Sequence, residues 1–274
     1  MIEMPTIAKI SVQKRNSERY NVFLLDKGKE YYAFSVDEKT LIDFQLRKGM
    51  ELEQGTIEQI KEKDFQAKAY NMSIRYLSYR MRTKKEIIEY LMKKEMDEEV
   101  IYQVLTKLEE EGLLDDSAFA DAFVRTRINT STKGPQLIKR ELLQKGVSEA
   151  EAAASLEMYT YEKQLDKLTK LVVKTYKPTS KKSYQEQIRS MKVSFLQKGF
   201  GAEVIQEAIT EAQLEKDEEQ EYETLKIQGE KLVRKYSRKD TGFLLQQKVK
   251  AGLYRKGFDS VLIDKFIDEH LEAD

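Results

Sequence analysis

Apolar residues follow two rhythms along this chain. From residue 6 to 35 they partly alternate with polar ones: IAKISVQ, YNVFLLD and EYYAFSV are rich in β-branched and aromatic residues. A period of two in such segments marks half-buried strands. RNSER and DKGKE lie between them and suit turns. Two or three antiparallel strands are expected. A short helix over DEKTLIDFQL should follow, capped by Asp37 and ending near Lys48-Gly49. MELEQGTIEQI reads as a short strand and turn, with a long helix beginning near Phe65. From there on the spacing is helical. Val100, Ile101, Val104, Leu105 and Leu108 recur at i, i+3 and i+4, and Gly112 stops that helix.

Across the helical region a single phrase returns four times: LMKKEMDEEVI (91–101), LLQKGVSEAEA (142–152), FLQKGFGAEVI (195–205) and LYRKGFDSVLI (253–263). Each is a helix end, a Lys-Gly pair (Lys94-Glu95 in the first copy), one large apolar anchor and a new helix. The anchors are Met96, Val147, Phe200 and Phe258, so the period runs from 51 to 58 residues. Self-similarity at such a period makes the fold an array of like units. Matching points carry matching start signals. Thr83-Lys84-Lys85-Glu86 and Ser148-Glu149-Ala150-Glu151 read as capping boxes, and Pro135 stands where a first helical residue needs no N–H. Asp97 can cap a third helix. Later units break at Pro178-Thr179-Ser180 and at Lys239-Asp240-Thr241-Gly242. The expected fold is mainly α: tandem three-helix repeats in an elongated array with a small β-rich N-terminal extension. The expected boundaries are 1–66 for the extension and 67–115, 116–159, 160–215 and 216–274 for the repeats. An array offers an extended surface, which favours binding something long over catalysis.

Composition narrows this further. Cysteine is absent, so no disulfide, thiolate metal site or thiol nucleophile is available. No secretory h-region or apolar run of membrane-spanning length is seen, and a cytoplasmic protein is expected. The zero net charge hides segregation. Residues 163–198 carry ten Lys/Arg against two Asp/Glu, and 230–256 nine against two; 95–116 and 203–223 each carry nine acids against one base. Basic runs can neutralise phosphates, although any single run also suits a solvated helix face.

Catalysis finds little support. His270 is the single histidine and reads as a surface residue of the last turn. Asp115-Asp116 read as caps of the following helix rather than metal ligands. No GxxxxGK[ST] loop is present, and neither a cofactor nor a metal site is expected. Tyr70, Tyr76, Tyr79, Tyr90, Phe119 and Phe123 read as core rather than as base-stacking platforms, with Leu113, Phe119, Phe123 and Ile128 on one apolar side. The candidate binding residues are basic. Arg75, Arg80, Arg82, Lys84 and Lys85 cluster at the first helix break; Arg125, Arg127, Lys133, Lys139, Arg140 and Lys145 lie around the second. They form either a basic path, suited to a phosphate backbone or to the acidic groove of a protein partner, or local pairs with neighbouring acids, for example Lys139 or Arg140 with the Glu141 region.

YLSYRMRTKKEIIEYL, LTKLEEEGLLDDSAFADAFVRTR and KGPQLIKRELLQKGVSEAE resemble the RecX family of bacterial RecA regulators. The resemblance covers about a third of the chain, from about Ala69 to Leu156. Its most specific elements run from Leu108 to Asp116, then Phe119-Ala120, Phe123-Val124-Arg125, Gly134-Pro135, Ile138, Glu141-Leu142 and Lys145-Gly146. The β-rich start is similar to the extension of Gram-positive members. Glu95-Met96 departs from the Lys-Gly of the other repeats, and Asn129–Thr132 is less basic than that loop often is. The resemblance implies a non-enzymatic protein that binds the groove of the RecA–single-stranded DNA filament and limits its growth, strand exchange, ATP turnover and co-protease activity. The implied partners are the RecA nucleoprotein filament and single-stranded DNA, with double-stranded DNA as a further one and no membrane; a monomer is expected. Two other classes compete: a general DNA-binding protein of three-helix modules, and a helical scaffold that binds proteins only.

Overall fold

The computed structural model describes residues 4–14 and 16–271. The chain divides into two compact units. One holds the residues through Ala120 together with Gln144–Glu151; the other holds Asp121–Leu143 and the residues from Ala152 on.

In the first unit, β1 (Thr6–Gln13), β2 (Asn16–Asp26) and β3 (Lys29–Asp37) pair antiparallel in that order. Alternation puts Ile7, Val22, Leu24, Phe34 and Val36 in the core, while Val12, Tyr31 and Tyr32 are exposed. Lys27 and Gly28 both take positive φ and close a tight hairpin. The RNSER turn is shorter than expected: Gln13 pairs with Asn16, and Arg15 lies outside the described residues. Asp37 caps α1 (Glu38–Asp43) through Thr40 N, at 2.8 Å. That helix ends earlier than its sequence suggested.

The next helix departs most from expectation. α2 runs from Gln54 to Ser78, and of the expected strand only an isolated bridge from Glu51 to Thr6 forms. Ile57 and Ile60 are one helical turn apart and both bury against the sheet core. Packing on the sheet therefore holds a helix that the segment's polar composition conceals. Asp64 ties α2 to the sheet. It accepts from Asp37 N at 2.8 Å and pairs with Arg19 at 2.6 Å. The later turns of α2 leave the sheet and join a second core with Ile87, Leu91, Val100, Val104 and Leu108.

Helices follow in triples: α2 with α3 (Lys84–Met92) and α4 (Glu98–Glu110); α5 (Asp116–Thr130), α6 (Pro135–Gln144) and α7 (Glu149–Leu156); α8 (Tyr161–Thr175), α9 (Tyr184–Gln197) and α10 (Ala202–Glu211); α11 (Glu218–Tyr236), α12 (Gly242–Arg255) and α13 (Ser260–Leu271). Both capping boxes form, at Thr83/Glu86 and Ser148/Glu151. Asp97 occupies an N-cap but makes no side-chain bond. The four anchors Met96, Val147, Phe200 and Phe258 are all buried. Each follows a residue of positive φ, and Met96, Phe200 and Phe258 bond back five residues to close the helix end. Gly112 does the same for α4, with Leu113 N and Leu114 N both reaching Leu108 O. That turn points Leu114 inward and leaves Leu113 48% exposed, so Leu114 takes the core place expected of Leu113.

A latch that local sequence does not disclose recurs in three triples. A first-helix tyrosine hydroxyl donates to a glutamate of the third helix or its C-cap: Tyr70 to Glu111, Tyr161 to Glu207 and Tyr222 to Glu269. Bonding to the Glu111 carboxylate is the main cause that pushes the Tyr70 hydroxyl up to about 12.

Candidate functional site

The repeated Lys-Gly turns meet the starts of earlier helices. At the first such joint, Thr83 Oγ1 donates to Lys145 O at 2.7 Å, and a Cβ on Gly146 would lie 2.6 Å from Lys85 Cβ. At the second, Gly134 N donates to Lys198 O at 2.8 Å and Gln136 N to Gly199 O at 3.1 Å. At the third, Ser183 Oγ donates to Lys256 O at 2.5 Å, and a Cβ on Gly257 would lie 2.9 Å from Gln185 Cβ. One contact is thus used three times: the turn ending the second helix of one triple seats on the N-terminus of the second helix of the triple before it.

The first amide of the receiving helix needs its own partner, because helix starts leave N–H groups free. Asp116 accepts from Lys84 N at 2.9 Å. Glu221 accepts from Tyr184 N at 2.9 and 3.1 Å. At the middle joint that position is Pro135, which has no N–H to satisfy. The two carboxylates are buried, and burial pushes both up from the usual range despite the amides they bind. Here the sequence expectation is corrected. Asp115 caps α5 through Ala118 N, at 2.9 Å, but Asp116 turns away to cap α3. The signal that distinguishes them is spatial and has no counterpart in local sequence.

Most of the expected basic path is spent inside the chain. Arg80 makes a two-pronged pair with Glu86, at 2.9 and 3.1 Å, and Lys145 binds the same carboxylate at 2.9 Å. Partial burial pushes Glu86 up, but the two cations outweigh it and hold the carboxyl at about 2. Arg82 stacks over Tyr76, 3.9 Å from the ring centre, and Tyr76 stacks on Tyr90. Lys84 pairs with Glu109. Lys85 donates to Gln144 O at 3.0 Å. In the other unit Glu141 takes Arg127 and Lys133; Lys139 is half-buried. Arg75, Arg125 and Arg140 differ: all three are exposed and have no partner among the described residues. The Asn129–Thr132 loop is also occupied, since Lys167 donates to Ile128 O and Ser131 O. His270 stacks on Phe266 at the end of α13.

Comparison with known proteins fits this geometry. Residues 5–53 match the family model for the regulatory protein RecX N-terminal domain. Residues 69–108, 115–156 and 218–267 match the RecX first, second and third three-helix domains. The regulatory protein RecX of Oceanobacillus iheyensis is 46% identical over 270 residues, covering 98% of this chain and 99% of its own. That of Halalkalibacterium halodurans is 43% identical over 266 residues, 97% and 100% of the two chains. This chain belongs to the RecX family. A crystal structure of regulatory protein RecX superimposes with a TM-score of 0.65 at 38% identity, over 76% of this chain and 100% of that one. The structure of RecX from Lactobacillus salivarius gives 0.53 at 36% identity, over 55% and 97%.

The joints also explain where this RecX-family chain departs from its own repeat. Glu95 holds the left-handed turn at φ 59°, where the other repeats have glycine. It is exposed. The glycines at the three joints serve two ends, positive φ and close approach, whereas the turn at Glu95 needs only the first. Among the described residues no helix is long and apolar enough to cross a membrane.

Proposed function

We propose that this RecX-family chain is a non-enzymatic modulator, mainly an inhibitor, of RecA. It binds the RecA–single-stranded DNA filament in the cytoplasm as a monomer and limits filament growth, strand exchange and co-protease activity. The observation that carries the reading is the joint used three times, in a chain whose relatives are regulatory RecX proteins. A contact repeated along the chain builds like surfaces more than once, which suits a partner that is itself a polymer. The units in this reading are 67–115, 116–159, 160–215 and 216–274, preceded by the extension 1–66.

Within the basic path, the residues that meet the filament are those the fold leaves free: Arg75, Arg125 and Arg140. Arg80, Arg82, Lys84, Lys85, Arg127, Lys133, Lys139 and Lys145 act indirectly, by fixing the joints and helix breaks. The test is RecA-driven strand exchange with purified protein added below RecA in amount. Inhibition without ATP hydrolysis by the added protein is expected, and replacing the three free arginines by Ala should relieve it. Full strand exchange at protein levels equal to RecA would overturn the reading.

A further inference from the structure

Three further cations of the second unit lie together, away from Arg125 and Arg140. A groove of about 440 Å³ runs beside α9 and the end of α12, lined by Glu186, Arg189, Ser190, Val193, Arg255 and Lys256, with Ser194 and Gln197. It draws on both basic runs of the sequence, 163–198 and 230–256. Arg189 and Arg255 are exposed, and neither they nor the Lys256 ammonium have a partner among the described residues. At the joint of the first unit, two cations converge on Glu86 and are neutralised. Here Arg189, Arg255 and Lys256 line one groove with a single carboxylate, Glu186, and among the described residues none of them pairs with it. The turn that carries Arg255 and Lys256 is fixed, because Lys256 O accepts from Ser183 Oγ at the start of α9. Lys182 reaches into the same region and donates to Ser190 Oγ at 3.2 Å.

We propose that this groove is a binding site for the backbone of single-stranded nucleic acid, independent of RecA. Arginine forks match phosphate geometry, and a site held in place by the Ser183–Lys256 bond loses little freedom on binding. The ligand class follows from what lies between the charges. Ser190, Ser194 and Gln197 offer hydrogen bonds to phosphate and sugar oxygens. Val193, 49% exposed on the groove wall, offers apolar surface that a sugar or base face covers and an inorganic anion would leave wet. The cations come from α9 on one side and from the end of α12 on the other, a spread that suits the backbone of one strand.

The test is fluorescence anisotropy of a labelled oligo-dT with the full chain across a salt series, with RecA absent. Arg189→Ala with Arg255→Ala should weaken binding about tenfold and flatten the salt slope by about 1.4, since each lost phosphate contact on a single strand lowers it by about 0.7. A charge-matched control, Lys170→Ala with Arg234→Ala, removes two cations already paired with Asp166 and Glu230 and should bind as the unaltered chain does. Equal losses in both variants would overturn the site, as would no binding by the unaltered chain. Equally tight binding of a duplex of the same length would overturn the single-strand assignment. Competition by polyglutamate as strong as by unlabelled oligo-dT would overturn nucleic acid as the ligand. Should the alanine variant lose its melting transition, Arg189→Gln with Arg255→Gln keeps the side-chain stems and gives the same readout. Because no RecA is present, the result stands apart from the strand-exchange experiment.

Discussion

Gly199 lies so close to Leu137 that a Cβ built on it would sit 2.4 Å from the Leu137 backbone nitrogen. Leu137 belongs to the first turn of α6, and Gly199 to the turn after α9. The approach cannot be relieved by moving a side chain, since the obstructing atom is main chain. The partner surface is equally tight: a Cβ on Gly134 would lie 2.6 Å from Gly199 C. Two backbones meet here with no room for a side chain on either.

Glycine at these turns and glutamate at the first should therefore respond in opposite ways. Gly199→Ala is expected to cost about 2–4 kcal/mol, from the left-handed backbone and the main-chain clash together. Glu95→Gly should instead stabilise by up to about 1 kcal/mol, because it relieves a positive φ without disturbing any seat. Urea denaturation of both variants checks this. A harmless Gly199→Ala would show that the joint is looser than its geometry.

The buried carboxylate at the first joint gives a separate test. Asp116→Ala leaves the Lys84 N–H without its acceptor and should cost about 1–3 kcal/mol. Asp116→Asn keeps an acceptor oxygen and removes a charge that burial disfavours, so it should be neutral or slightly stabilising at pH 7. Burial raises the folded-state pKa of Asp116 above its unfolded value. The folded state therefore binds the proton more readily, and this group's contribution to stability falls as pH rises through that range. The asparagine variant should lack that dependence. Equal damage by Asn and Ala would mean that the charge itself is required.

Glu86 carries the opposite sign. Its carboxyl titrates at about 2 in the folded chain against an ordinary 4.5, so its stabilisation is present above pH 4.5 and is lost as pH falls toward 2. Glu86→Gln should cost roughly 2–3 kcal/mol at pH 7, and the gap should narrow at pH 3. Denaturation curves at the two pH values decide it. A constant gap would place the effect in packing rather than in the pairs with Arg80 and Lys145.

Local chemistry made much of this fold legible. Thr83 with Glu86, Ser148 with Glu151, and the anchors after each Lys-Gly turn are contacts within a few residues, and sequence displays such contacts directly. What it hid were contacts across tens of residues. Asp115 and Asp116 are chemically alike and adjacent, yet one caps its own helix and the other the start of α3, because they face different ways at the joint. The start of α2 was hidden for the same reason, its helix being fixed by Ile57 and Ile60 on a distant sheet. The basic path was the least legible feature. A set of arginines and lysines does not reveal that Glu86 and Glu141 each absorb two of them, and that of the expected residues Arg75, Arg125 and Arg140 stand free.

Phe200 tests whether damage stays local. Its ring is buried and meets Tyr159 edge-on, with centroids 6.4 Å apart, at the joint where Gly199 seats on α6. Phe200→Ala should cost about 3–5 kcal/mol, as for other buried phenylalanines. Stability in arrays is largely a nearest-neighbour property, so the loss should centre on α8–α10 and the helices they touch. The sheet of β1–β3 has its own core of Ile7, Val22, Leu24, Phe34 and Val36 and should keep its protection. Hydrogen exchange across the variant reads this out segment by segment. Uniform loss that includes β1–β3 would show a single cooperative globule, and no loss anywhere would show that Phe200 anchors nothing.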